Sequence, residues 1–169
     1  MAMPDDCEDD VFLPGGRVRL ELLNDPAAQA LNESMRLARE TLWDSLRSPH
    51  IFMGLLAVPD PGVRNWGDRL GADIPRLLGQ FQELFHQEDG ETGAVLSLNR
   101  EFLSDNVIRL LRDAHLRARD NCRPQITCMD LLISLLTAPN SIVAECFERI
   151  GVTAAKLTEL AVMAEQQES

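Results

Sequence analysis

Three histidines, four cysteines and a scatter of serines and carboxylates are the residues of this chain whose types could do chemistry. A metal site needs His or Cys ligands at spacings such as i, i+4 on one helix face. His50, His86 and His115 stand alone, and Cys7, Cys122, Cys128 and Cys146 show no CxxC spacing and no disulfide framework. Cys122 and Cys128 straddle a turn and read as small hydrophobes rather than ligands, with reduced thiols the default. Nucleophilic catalysis needs a base beside the nucleophile. Ser34, Ser48 and Ser134 are accounted for as helix or cap residues, and no motif ties a histidine to any of them. The paired carboxylates Asp9-Asp10 and Glu88-Asp89 lie in polar stretches where nothing would tune them for general acid catalysis. Gly15-Gly16 reads as a turn, and the chain has no GxxxxGK[ST] loop to cradle a nucleotide phosphate. His50, at a helix start facing a bundle, reads as a satisfied structural group. The expectation is a non-enzymatic chain with no cofactor and no metal.

Composition narrows the partners. The net charge of −11 argues against nucleic acid, because phosphate binding needs clustered Lys and Arg, and Lys156 is the single lysine. No apolar run approaches the 18 or so residues of a membrane span. The segment Met1 to Asp10 is acidic where a secretory signal would be basic and then apolar, so a cytoplasmic placement is expected. The 169 residues suit one domain, and a chain of that length buries about 70% of its unfolded surface.

The elements that must position these residues recur. The sequence matches itself at an offset of 80 residues, the interval from Gly71 to Gly151, without a gap. The same shift pairs Asp25 with Asp105, Leu31 with Leu111, Ala38-Arg39 with Ala118-Arg119, Leu55-Leu56 with Leu135-Leu136, Pro59 with Pro139 and Leu77 with Leu157. A duplicated helical unit buries its apolar face against its copy, so the two copies should form one domain. Residues 1–16 read as an acidic flexible arm and 17–169 as the domain. Its first repeat is about 23–86, its linker about 87–99 and its second repeat about 103–166.

Each repeat reads as four helices. Asn24 caps the first, with Pro26 in the first turn and Ala27, Ala30, Leu31, Ser34, Leu37, Ala38 and Leu42 as its apolar stripe. Ser48 is expected to cap the second, Asp60-Pro61 to start the third, Gly71 to end it in the left-handed conformation, and Asp73 to cap the fourth. In the second repeat Ser104, Thr127 with Asp130, Asn140 or Ser141, Gly151 and Thr153 take the same parts. Ahead of the helices, Arg17 to Leu22 alternates like a half-buried strand, and Ala94 to Leu98 is also β-leaning, so the two lead-ins could form a small β pairing. The fold class is all-α, with two tandem pseudo-symmetric four-helix repeats in one domain.

The segments Ser48-Pro49-His50-Ile51-Phe52-Met53-Gly54-Leu55-Leu56 and Cys128-Met129-Asp130-Leu131-Leu132-Ile133-Ser134-Leu135-Leu136 resemble the LLxxLL-type helix of the Clp N-terminal repeat. The resemblance covers roughly Leu23 to Glu165. It implies the all-α N domain of Clp-type AAA+ unfoldases, which docks substrates or adaptors, here without the ATPase modules. The family's Glu-His pair at the start of this helix is replaced by Pro49-His50 and Met129-Asp130, and its Phe-Thr opening by Leu23-Asn24 and Leu103-Ser104. The loss of both glutamates argues against reading phosphorylated arginine and makes any inherited pocket more apolar.

The function expected is a protein- or peptide-binding module of the Clp chaperone–protease system, recruiting substrates or adaptors at the seam between repeats. The alternatives are a structural accessory docking on a Clp protease or unfoldase ring, or the N domain of a longer unfoldase. The partner is a protein, whether an unfolded or peptide substrate, an adaptor or a Clp ATPase or protease, with no nucleic acid and no membrane. The candidate contacts are Leu23, Pro49, Leu103 and Met129, with Met53 as a deformable neighbour. Met129→Asp is expected to weaken capture with helical content intact. Trp66, whose repeat mate is Cys146, reads as core, and Trp43, whose mate is Arg123, stands evenly between core and binding anchor.

Overall fold

The computed structural model describes residues 10–88 and 96–168. Eight α-helices lie in two sets of four: α1 (Asp25–Glu40), α2 (Ser48–Ala57), α3 (Pro61–Leu70) and α4 (Ile74–Leu84), then α5 (Asp105–Asp120), α6 (Cys128–Thr137), α7 (Ile142–Glu148) and α8 (Ala154–Glu168). The starts of corresponding helices are 80 or 81 residues apart, as the repeat requires.

Local chemistry explains most boundaries. Asn24 Oδ1 accepts the Ala27 N–H at 3.0 Å and its mate Ser104 Oγ accepts the Val107 N–H at 3.3 Å. Asp60 and Ser141 do the same for Val63 and Ala144 at the starts of α3 and α7. Gly71 (φ 77°) and Gly151 (φ 90°) close α3 and the turn after α7 in the left-handed region that a Cβ disfavours.

Three boundaries differ from expectation. Leu42 lies beyond α1, which stops at Glu40. Leu42 adopts φ 66°, and its mate Cys122 φ 58°, because the chain reverses there toward the next helix. Ser48 is the first residue of α2 rather than its cap. The cap is Arg47, whose N–H donates to Nδ1 of His50 at 2.9 Å, and the mate bond runs from the Thr127 N–H to Asp130 Oδ2 at 2.9 Å. Asp73 stands at the head of α4 without a side-chain capping bond, whereas Thr153 Oγ1 accepts the Lys156 N–H at 3.1 Å.

The two repeats are joined by a reciprocal exchange of main chain. Leu23 bridges to Ile126, and Leu103, one repeat later, bridges to Leu46, the mate of Ile126. The bonds match in pairs: Asn24 N–H to Ile126 O (3.0 Å) with Ser104 N–H to Leu46 O (3.0 Å), and Ile126 N–H to Leu22 O (2.6 Å) with Leu46 N–H to Phe102 O (2.8 Å). Each lead-in therefore satisfies backbone groups of the other repeat, the pattern of a pseudo-twofold axis.

The lead-ins also meet each other. Arg17 bridges Asn99, the Val18 N–H donates to Leu98 O at 2.9 Å and the Arg100 N–H to Gly16 O at 2.7 Å. The expected strand is cut short, because Leu20–Leu22 and its mate Arg100–Phe102 coil into 3-10 turns. The expected flexible arm also needs correction where it is described. Val11 and Phe12 are buried, Phe12 lies beneath the guanidinium groups of Arg100 and Arg112, and Asp10 accepts a fork of two 3.1 Å bonds from Arg112. Two large apolar side chains outweigh the acidic composition around them. Residues 1–9 of the arm and most of the linker, 89–95, lie outside the described residues.

At the centre α2 and α6 are buried on every side, with Pro49 to Leu56 and Cys128 to Leu136 all inside and mostly apolar. The other helices surround them, α1 and α4 on α2, and α5 and α8 on α6. The halves are not equal. α3 packs along α8, where Trp66 Nε1 donates to the Leu157 carbonyl at 3.1 Å, while α7 is shorter than its mate α3. An aromatic cluster fills the space at α7, with Phe52, Trp66 and Phe81 of the first repeat against Phe147 of the second at 4.9–6.2 Å between ring centres. Trp66 is fully buried, as read from the sequence.

Candidate functional site

The five residues expected to make contacts are core. Leu23, Met53, Leu103 and Met129 are at most 7% exposed, and Pro49 is buried. Leu23 and Leu103 carry the reciprocal backbone bridges, and Met53 lies wholly inside α2. Leu23, Met53 and Leu103 line neither of the hollows at the seam, whereas Pro49 and Met129 each line one. Met129→Asp would accordingly bury a second carboxylate beside Asp130 and damage the fold before it tested binding.

Accessible hollows nevertheless open at the seam, and they are mates of each other. The first, about 340 Å³, is lined by Asn24, Pro26, Arg123, Thr127, Met129 and Glu165 with Asp60 and Pro61 at the head of α3. The second, about 110 Å³, is lined by the mates Ser104, Asn106, Trp43, Arg47, Pro49 and Phe85 with Ile142 at the head of α7. Pro49 and Met129 thus form the floors of two equivalent recesses rather than their contact groups. A larger hollow of about 640 Å³ lies off the seam among α6, α7 and α8, over small residues and two glutamates, Glu145 and Glu148.

The equivalent recesses have opposite chemistry. Behind the first, Asp130 is fully buried and accepts from Arg117 at 2.8 Å and from Arg123, while Arg117 forks onto Glu165 at 2.7 and 2.8 Å. The Arg117 bond holds the Glu165 carboxyl below the usual carboxylate range, and the same bond raises the Arg117 guanidinium. Behind the second, the mates of Asp130, Arg123 and Glu165 are His50, Trp43 and Phe85. Trp43 stands edge-on to His50 with ring centres 5.3 Å apart, donates Nε1–H to the Phe85 carbonyl, and is covered by the Arg47 guanidinium at 5.0 Å. Burial, with the charge of Arg47 adding, pushes the His50 imidazole down to about 4. The ring is neutral at pH 7, and because Nδ1 accepts from Arg47 its proton is on Nε2, which is buried and has no hydrogen-bond partner.

Sequence reading did not assemble these groups. Trp43, Arg47, Phe85 and Ile142 are far apart along the chain, and the signal that could have gathered them was the 80-residue offset applied to polar positions as well as to Leu and Gly. His50, expected to be a satisfied structural group, is satisfied at Nδ1 alone. Among the described residues no cluster of three or more His, Cys, Asp or Glu side chains could hold a metal ion, and no single helix is long and apolar enough to cross a membrane.

No protein-family model matches the sequence, and no curated protein matches it. Solved structures do. The N-terminal domain of the caseinolytic protease associated chaperone ClpD from Arabidopsis thaliana superposes with a TM-score of 0.67 at 18% identity, covering 89% of this chain and 99% of that one. The Hsp104 N-terminal domain from Candida albicans gives 0.67 at 13% identity, covering 83% and 89%. A ClpV N-domain in complex with a VipB peptide gives 0.62 at 19% identity, covering 88% and 92%. The all-α architecture, the doubled four-helix unit and these superpositions agree: the chain has the fold of the N-terminal domains of Clp-type ATPases.

Proposed function

We infer that this chain is a non-enzymatic protein- and peptide-binding module of the Clp chaperone–protease system, and that it recruits a substrate or adaptor across the seam between its repeats. The observation that carries the reading is the pair of mated recesses in a fold whose relatives include a ClpV N-domain holding a VipB peptide. The recesses are built by side chains of both repeats, so a bound segment would touch the whole domain rather than one half. Their rims mix apolar groups (Pro26, Pro61, Ile142, Trp43) with donors and acceptors (Asn24, Ser104, Asn106), the composition that suits an extended polypeptide.

The test is a titration of 15N-labelled protein with a permanently unfolded polypeptide such as reduced, carboxymethylated α-lactalbumin. Amide shifts are expected to concentrate at Asn24, Ser48, Ser104, Asn106, Thr127 and Ile142. Shifts confined to α4 and the 640 Å³ hollow, or none at all, would refute binding at the seam.

A further inference from the structure

The second recess differs from the surfaces around it in charge. The chain carries −11, yet no Asp or Glu lines this recess or the small adjoining hollow that contains Arg109. The mated recess includes Asp60 and Glu165, and the large hollow includes Glu145 and Glu148. Among the described residues Arg47 and Arg109 pair with no carboxylate. Arg47 donates to Ser45 Oγ at 3.1 Å and otherwise lies on the indole of Trp43. The first turns of α2 and α5 enter the same space through Ser48 and Asn106, adding their positive ends.

An unused donor lies against this site. His50 is 1% exposed, its Nδ1 is occupied, and its Nε2–H has no acceptor. A buried donor without an acceptor is costly, and an arriving acceptor recovers that cost. The apolar walls come from Trp43, Pro49, Phe85 and Ile142, and a cavity of about 110 Å³ has room for one side chain.

We propose that this recess anchors the free C-terminal carboxylate of a peptide whose last side chain is large and apolar. A C-terminal residue carries both groups on one Cα, so the side chain can fill the cavity while the carboxylate stays within reach of Arg47 and the His50 donor. An internal Asp or Glu brings an anion but no apolar group in the same residue. His50 and Trp43 both line the cavity with their ring centres 5.3 Å apart, so a carboxylate that reaches Nε2 arrives beside the indole. This inference rests on the seam-binding reading above, and names the ligand class of one of its two recesses.

The test uses hexapeptides ending in Leu-Phe, labelled with fluorescein at the N-terminus and titrated into the full chain by anisotropy. A free-acid peptide is compared with its C-terminal amide and with an amidated peptide carrying an internal Asp. The free acid is expected to bind about tenfold more tightly than either, the difference one charge-assisted hydrogen bond supplies. With an unlabelled peptide, it should also change the Trp43 emission. Arg47→Gln and Ile142→Asp, both checked by circular dichroism, are expected to abolish the preference. Ile142 is 43% exposed at a helix start, where an aspartate is tolerated. Equal affinity of acid and amide, equal affinity of the internal-Asp peptide, or a preference that survives both substitutions would overturn the proposal. Equal binding of acid and amide with amide shifts still at the seam would leave the seam reading intact. No seam shift with any peptide or with the unfolded polypeptide would overturn both.

Discussion

Acidification from pH 7 to pH 5 should destabilise this protein through His50. The imidazole sits at about 4 in the folded chain and at its ordinary 6.5 when unfolded. Between those values the unfolded chain holds a proton that the folded chain does not, so stability is complete above pH 6.5 and falls as the pH drops toward 4. At about 1.36 kcal/mol per unit, the loss from pH 7 to pH 5 is roughly 2 kcal/mol, and it levels off near 3 kcal/mol around pH 4. For a domain of ordinary stability that is a large fraction of the total. Glu33 and Glu165, held below the usual carboxylate range by Arg36 and Arg117, withdraw their contributions only at more acid pH, which leaves pH 5 to 7 as the diagnostic window. Urea unfolding followed by circular dichroism at pH 7, 6 and 5 measures the loss directly. The comparison is His50→Asn, whose amide oxygen can still accept from the Arg47 N–H but does not titrate. Its stability should be nearly flat across the window. A variant that loses as much as the parent between pH 7 and pH 5 would refute the assignment to His50.

Two further perturbations test the packing. Gly54→Ala would place a Cβ inside contact distance of Ser34 Oγ and the Ala30 carbonyl of α1, so it should cost about 2 kcal/mol and lower the thermal midpoint with no change in helical content at low temperature. Asp130→Asn removes the charge that Arg117 and Arg123 share behind the first recess and should cost about 3 kcal/mol in urea unfolding. A cost below 1 kcal/mol would mean that Glu165 alone suffices for both arginines.

The helices and their ends were legible in the sequence because they depend on neighbours a few positions away. Asn24, Asp60, Ser104, Thr127 and Ser141 accept N–H groups three residues on, and Gly71 and Gly151 need only their own left-handed backbone. The repeat extended this reading to the whole chain, since a matched Gly or cap at 80 residues' distance repeats a local requirement. The described end of the N-terminal arm, from Asp10 on, departs from expectation for the opposite reason. Its acidic composition is local, while Phe12 is buried beneath Arg100 and Arg112, about 90 to 100 residues away.

What the sequence by itself determined is an all-α chain of two like units with specified starts and stops. Tertiary structure alone decided how the units join, through lead-ins that trade places so that Leu23 meets Ile126 and Leu103 meets Leu46. It also decided that Leu23, Met53 and Leu103 are core while Pro49 and Met129 sit beneath the mated recesses, and that these diverge into an ionic one at Arg123 and an aromatic one at Trp43. Capping and periodicity are properties of short windows, whereas exposure and the company a side chain keeps are sums over contacts between distant segments. A pattern of residue types specifies the first and is silent on the second until the chain has closed.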